Sequence, residues 1–370
     1  MKNFVGATNY LEIYFNIVLF SLIFGAFGIM QPKKKKWYVI VLFGYLAFLT
    51  AFRMSYVGSD TPGYLASFRN IARYSSPFDY IKREGMEPGF VVFSWLVSRI
   101  NNDPQTLLIV SSLIIYISTG KFVYKYIKNP GLFCCLFVGI MQFDFFMSAM
   151  RQSLSIAIIL FFFDFVVKKK HFKFAIVCLL ASTFHYSSIL LFLLYPFVST
   201  AKENNTSAAG KFWGVICIIG ISLFFNKSMN IIIAIFPKYS SYLAAETFDG
   251  VPRLALILKI SVYGLLFIIP KLLEKEELYD NRFDALSEKL SYINICTLLV
   301  SMNAVALARF SNTFSMFATM YYVNQTISLK KEDYILLTIM TLLMFGLYGF
   351  IIVLLKTPEW TATFPIKLIF

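Results

Sequence analysis

The sequence predicts an all-α fold: a polytopic transmembrane helical bundle of about 11–13 spans, with short re-entrant or broken helices at its outer face. Of its 370 residues, 58% are hydrophobic and 18% aromatic while only 15% are charged, an apolar excess that no soluble domain of this length needs. Apolar runs of about 16–22 residues recur along the chain, the length of helix that crosses about 30 Å of hydrocarbon. Strands of a membrane barrel would alternate polar and apolar residues, so helix is the remaining choice.

The first run, Tyr10–Met30, follows Lys2, contains Glu12 and lacks the small-residue cleavage site of a signal peptide, so it reads as a retained first span. Lys33–Lys36 and Lys168–Lys170 are the strongest cytoplasmic signals under the positive-inside rule. They place the N-terminus outside, run Tyr10–Met30 inward and run Trp37–Phe52 outward to Arg53. Counting back from Lys168, Gln152–Val167 runs inward, Leu132–Ser148 outward and Thr106–Gly120 inward, which leaves Lys121, Lys125 and Lys128 in the cytoplasm. The parity closes only if residues 53–105 form an extracytoplasmic loop. Within that loop Pro88–Ile100 is about 13 residues long and carries Arg99, too short to span, and is expected as a re-entrant or interfacial helix.

Phe172–Val198 is interrupted by Phe184-His185-Tyr186-Ser187-Ser188 and fits either one tilted span or two half-helices meeting at His185. The broken pair is preferred because it keeps Lys202, Lys271, Lys275, Lys289, Lys330 and Lys331 inside. The remaining expected spans are Phe212–Phe225, Leu254–Pro270, Leu290–Leu307, Phe310–Ser328 and Tyr334–Leu355, with the loop Asn226–Arg253 and the turn carrying Arg309 outside. With no linker, low-complexity tract or repeat to divide it, residues 1–370 are expected to form a single integral membrane domain.

Cys134, Cys135, Cys178, Cys217 and Cys296 all lie in apolar runs without metal-ligand spacing and read as packing residues, not disulfides or a zinc site. The formal charge of +14 sits in short lysine clusters between spans; topology and anionic head groups explain it, and membrane lipids, not nucleic acid, are the expected partners.

Ionisable residues in or beside hydrocarbon are functional candidates because each costs a few kcal/mol there. Arg53 at a span end, Arg151 in the turn Met147–Gln152 and Arg309 in Ala308-Arg309-Phe310 all map to the outer face, from three separate parts of the sequence. Any one of them can be a snorkelling anchor. Together, with Arg151 and Arg309 near the N-termini of the helices that follow, they form a candidate pyrophosphate site, since a guanidinium presents a planar fork of donors to phosphate.

His171 lies in a cytoplasmic basic run, which leaves His185 as the imidazole available to outer-face chemistry, either as a proton acceptor or as a group satisfied by Ser187 or Ser188. Asp60 either caps a helix beginning near Pro62 or serves the chemistry, and Glu87 stands at the mouth of the short apolar segment. Asp144, seven residues before Arg151, is the expected ion-pair partner of that arginine, and Asp164 the partner of Lys168. No clustered Asp, Glu and His set is placed to hold a metal, and no cofactor is expected.

Arg53-(x)3-Val57-Gly58-Ser59-Asp60-Thr61-(x)2-Tyr64, Glu87-Pro88-Gly89-Phe90, Met150-Arg151-Gln152, Phe184-His185-Tyr186-Ser187 and Ala308-Arg309-Phe310 together resemble the ordered landmarks of the EpsG family of Wzy-type polysaccharide polymerases. The resemblance spans residues 53 to 310. It implies a GT-C-like, many-helix, inverting and metal-independent glycosyltransferase in the cytoplasmic membrane of a bacterium, with its active site facing outward. Its partners would be undecaprenyl-pyrophosphate-linked oligosaccharides as donor and acceptor, with a chain-length regulator as a further candidate. Arg53, Arg151, Arg309 and Tyr64 would contact pyrophosphate or substrate, and His185, Asp60 and Glu87 would be the catalytic candidates.

Two other classes fit parts of the pattern. A lipid-linked oligosaccharide flippase or secondary transporter would also use broken helices, but places its charges near the midplane and often shows repeats. A membrane O-acyltransferase would explain a lone histidine in an apolar segment but lacks an acyl-donor motif here.

Overall fold

The computed structural model describes residues 16–17, 19–21, 23, 32–199, 251–273, 282–302, 308–327, 329–356 and 367–369. The expected spans Tyr10–Met30 (apart from a few residues) and Phe212–Phe225, nearly all of the loop 226–253, and Cys217 lie outside the described residues.

The described residues are helical throughout, apart from connections and one isolated antiparallel bridge between Arg53 and Leu368. The chain divides into two compact units, one of Met1–Leu193 with Lys330–Phe370 and one of Leu194–Leu329. In the first, a short 3-10 turn leads into α1 (Lys35–Ala51), and α2 (Thr61–Ala72), α3 (Pro77–Glu84) and α4 (Pro88–Ile100) follow as short helices. Then come α5 (Pro104–Tyr126), α6 (Pro130–Gly139), α7 (Gln142–Ser148), α8 (Met150–Phe161), α9 (Asp164–Val167) and α10 (His171–Phe184). A 3-10 turn, Tyr186–Ser188, joins α10 to α11 (Ile189–Ser199). The second unit contains α12 (Val251–Leu273), α13 (Arg282–Val300) and α14 (Ala308–Thr326), packed on one another, and α15 (Lys331–Lys356) returns to the first.

In the first unit α5 is the central member, packed against α1 on one side and α8 on the other, with α10 beyond α8. Gln105 Nε2 donates to the Ala51 carbonyl at 2.5 Å and so satisfies one of the open acceptors at the end of α1. α6 rests on α15, where a Cβ on Gly139 would lie 3.2 Å from the Phe345 carbonyl oxygen.

The short helices have local causes. Ser76 accepts from the Phe78 amide at 3.3 Å and Pro77 opens α3, while Gly85 ends it in the left-handed region at φ 62°. Pro88 opens α4, which begins and ends where the sequence placed it. Arg99 stacks on Trp95 at 4.8 Å and donates to the carbonyls of Ala72 (3.0 Å) and Tyr74 (2.7 Å). With the cluster of Ile71, Tyr80 and Val91, these bonds fasten α2, α3 and α4 into one small layer.

The expected count of about 11–13 spans concerns the whole chain, of which two expected spans lie largely or wholly outside the described residues. Among the described residues three helices are long and apolar enough to cross a membrane, Pro104–Tyr126, Leu254–Leu273 and Lys331–Gly349, and a fourth candidate is the pair α6–α7, bent by 65°. Several expected spans are interrupted. The expected span Leu132–Ser148 bends around Met141 at φ 62°, and Gln152–Val167 is interrupted after Phe161. Of the expected span Leu290–Leu307, residues 290–300 lie in α13, whose early turns carry buried Asp284 and Glu288, the latter held by an ion pair with Lys271. The break expected at His185 is present.

Candidate active site

Glu87, Arg151 and His185 come from three elements far apart in sequence and meet in the first unit. Glu87 occupies the N-cap position of α4, Arg151 the first turn of α8, and His185 the extended residue between α10 and the 3-10 turn that follows it. Arg151 Nη1 donates to Glu87 Oε2 in an ion pair, and His185 Nδ1 lies 3.3 Å from Glu87 Oε1. That second distance is in ion-pair range, but the ring nitrogen is off the line of a well-formed hydrogen bond. The carboxylate is 8% exposed, the arginine 27% and the imidazole 16%, so the cluster is largely withdrawn from solvent yet reachable through Arg151.

Close packing of α4 on α10 sets this geometry. A Cβ on Gly89 would lie 2.9 Å from both the Thr183 carbonyl carbon and Phe184 Cδ2, so only glycine lets the start of α4 approach the end of α10. The Phe93 and Phe184 rings meet 6.1 Å apart just beyond. The broken segment is stitched to α8: Gln152 Nε2 donates to Ser187 Oγ at 3.2 Å, Ser155 and Ser188 share a hydrogen bond at 2.5 Å, and Ser155 reaches the Ala181 carbonyl at 2.7 Å. The Ser187 and Ser188 hydroxyls thus bond to α8, not to the His185 imidazole as the satisfied-histidine alternative had it.

Tyr64 is brought into the cluster. It lies on α2, packs 5.6 Å from Phe90 and sits beneath the Arg151 guanidinium, whose central carbon is 5.4 Å from the ring centroid. Arg151 Nε is buried without a hydrogen-bond partner, in the first turn of a helix whose dipole favours an anion.

Arg53 is placed otherwise. Its side chain is buried, 1% exposed, and all three nitrogens donate to protein: Nε to the Val57 carbonyl (3.1 Å), Nη1 to the Thr50 carbonyl (2.6 Å), Nη2 to the Met147 carbonyl (3.0 Å) and Thr61 Oγ1 (3.4 Å). Asp60 is exposed at the start of α2, without a side-chain capping bond, and Tyr64 lies one turn further on. Arg309 is exposed in the first turn of α14, in the second unit, where a turn had been expected. The ion-pair partner of Arg151 is Glu87, whereas the sequence pointed to Asp144. Asp164 pairs with Lys125 at 2.5 Å and accepts from Tyr126.

Burial alone would raise the Glu87 carboxyl, but the His185 ring and the Arg151 charge outweigh it and hold the group below the usual carboxylate range. Glu87 is therefore ionised at neutral pH, with one oxygen toward each basic neighbour. Such a cluster can favour an anion at Arg151 and a proton acceptor at His185. Among the described residues no group of three or more His, Cys, Asp or Glu side chains could share a metal ion.

Sequence reasoning missed Ser155 and Gly89 as positioning elements. Ser155 follows Arg151 by four residues, a spacing that marks a shared helix face. The Met147 carbonyl, a backbone acceptor, carries no sequence signal.

A family model described as EpsG family matches residues 36–368 of the chain. Comparison with curated proteins and with solved structures gives no match.

Proposed function

We propose, because this chain belongs to the EpsG family of Wzy-type polymerases, that it transfers a growing glycan from undecaprenyl pyrophosphate onto an acceptor hydroxyl of a lipid-linked repeat unit. The apolar helices and the family make it a multi-pass membrane protein with a role in polysaccharide synthesis. The finer reading places the reaction at the outer face of a bacterial cytoplasmic membrane, argued from the lysine clusters, within a GT-C-like architecture.

The observation that carries the mechanism is Glu87 standing between Arg151 and His185. A carboxylate beside Nδ1 favours the tautomer protonated there, which leaves Nε2 free to accept a proton. In the proposed step the acceptor hydroxyl gives its proton to His185 and its oxygen attacks the anomeric carbon. The bond from that carbon to pyrophosphate oxygen breaks on the opposite side, with inversion. The departing pyrophosphate takes the electron pair, and Arg151 with the first turn of α8 stabilises the charge as it grows. Tyr64 supports the guanidinium from below. Asp60, exposed one turn before Tyr64, is assigned to sugar hydroxyls at the rim, and His185 takes the proton in its place. Arg309 keeps its expectation of a phosphate contact from its place in the first turn of α14.

The test is reconstitution. Purified protein supplied with cognate lipid-linked repeat units should build longer glycans on the lipid without ATP and in excess EDTA. Folded protein that makes no longer chains would overturn the reading, and chain growth that requires added magnesium or manganese would overturn its metal-independent form.

A further inference from the structure

We infer that Arg53 is a positioning residue which locks the start of α2 and the α7–α8 junction together and so sets Arg151 over Tyr64; the inference rests on the pyrophosphate role proposed for Arg151. A phosphate contact by Arg53 itself does not fit, because all its nitrogens are spent on protein acceptors and the side chain is 1% exposed.

The acceptors explain how a guanidinium is tolerated there. Thr50 and Met147 lie in the last turns of α1 and α7, where helix carbonyls lack intrahelical partners and carry the negative end of the dipole. One cation thus neutralises two helix ends. Its Nη2 reaches Thr61, the first residue of α2, and Met147, four residues before Arg151. Tyr64 and Arg151 meet at 5.4 Å; Tyr64 is one helical turn from Thr61, and Arg151 follows Met147 by four residues across the bend at Ala149.

Two further features tighten the same junction. Gly58 has φ 98°, and a Cβ there would lie 2.5 Å from Thr61 Oγ1 and 3.2 Å from the Met147 carbonyl oxygen, so the loop passes between the two elements with room for glycine alone. The Arg53 backbone is fixed from outside by residues 367–369: Met54 N donates to the Lys367 carbonyl at 2.7 Å and Ile369 N to the Phe52 carbonyl at 3.0 Å. Between the clamp and the site lies Ala149, the hinge at φ −96° and ψ 60° where α7 gives way to α8. A hinge four residues or fewer from both the Met147 carbonyl and Arg151 transmits any slack directly to the guanidinium.

The experiment is a double-substitution cycle in the full-length protein, with farnesyl pyrophosphate as the probe and equilibrium dialysis as the readout. Arg53→Gln should weaken binding about tenfold when Arg151 is present and less than about twofold in an Arg151→Gln background, because a residue acting through Arg151 has nothing left to act on. Equal losses in both backgrounds, or unchanged affinity, would overturn the inference. Arg53→Lys keeps the charge but cannot span four acceptors, and should behave like Gln; full binding by the Lys variant would also overturn it. Should Arg53 variants fail to fold, Gly58→Ala strains the same junction with Arg53 in place, and should show the same dependence on Arg151. Hydrogen exchange separates the clamp from the ligand reading: Arg53→Gln should speed exchange at residues 59–64 and 148–151. Unchanged protection there would sink the clamp, whereas faster exchange in Arg53→Gln together with a wild type that binds no pyrophosphate would support the clamp and count against the role of Arg151.

Discussion

Arg151→Ala is expected to lower kcat for chain elongation by about 100–1,000-fold, the loss that follows removal of a preorganised donor from a developing anion. The pyrophosphate leaving group gains charge as the glycosidic bond breaks, so kcat should fall further than KM rises. Arg151→Lys keeps a cation but gives up the planar fork and the stack on Tyr64, and should recover only part of the activity. The Ala variant also leaves Glu87, 8% exposed, without its cation, which costs about 1–3 kcal/mol of stability. Elution profile and melting temperature therefore belong beside the rates. If Arg151 were a lipid-facing anchor, Lys would substitute fully and Ala would lower expression while leaving turnover intact.

His185→Ala should reduce kcat by about 100–10,000-fold, the range for loss of a general base, with little change in binding of the lipid-linked donor. Glu87→Gln should reproduce much of that loss while retaining a side chain of the same shape, because the amide neither orients the imidazole nor balances Arg151. The pH dependence has a definite sign. Glu87 sits below the usual carboxylate range in the folded protein, so its charged form contributes stability at and above that range, and the contribution is lost as pH falls through the folded value. Wild type should be more stable than Glu87→Gln at neutral pH, and the two melting temperatures should converge in acid. Parallel curves from pH 7 down to pH 3 would show that the carboxylate is not held by its basic neighbours.

The elements legible in the sequence were those with local causes. Pro88 after Glu87, and an apolar stretch too short to span, located α4 from end to end, and the polar run at His185 located the break after α10. Arg151 and His185 stood out because each is an ionisable group in an apolar setting. What remained hidden depends on contacts remote in sequence. Asp144 was paired with Arg151 by assuming one continuous helix, but Ala149 turns the chain between them, and the partner comes from 64 residues away. Arg53 was read with Arg151 and Arg309 as a pyrophosphate contact because its acceptors are mostly backbone carbonyls, invisible in side-chain patterns. The bend at Met141 and the interruption after Phe161 were hidden because neither changes hydropathy while each divides an expected helix.

The central claim is that lipid pyrophosphate binds where Glu87, Arg151 and His185 meet. A polyprenyl pyrophosphate carrying a photoreactive diazirine on the carbon chain next to the pyrophosphate tests this most directly, with adducts mapped by peptide mass spectrometry in the full-length protein. The account predicts adducts within residues 58–64, 84–90, 147–152 and 183–188, suppressed by excess lipid-linked repeat unit and reduced in Arg151→Ala. Competable adducts confined to other segments, such as the buried charged turns of α13 around Glu288, would contradict it.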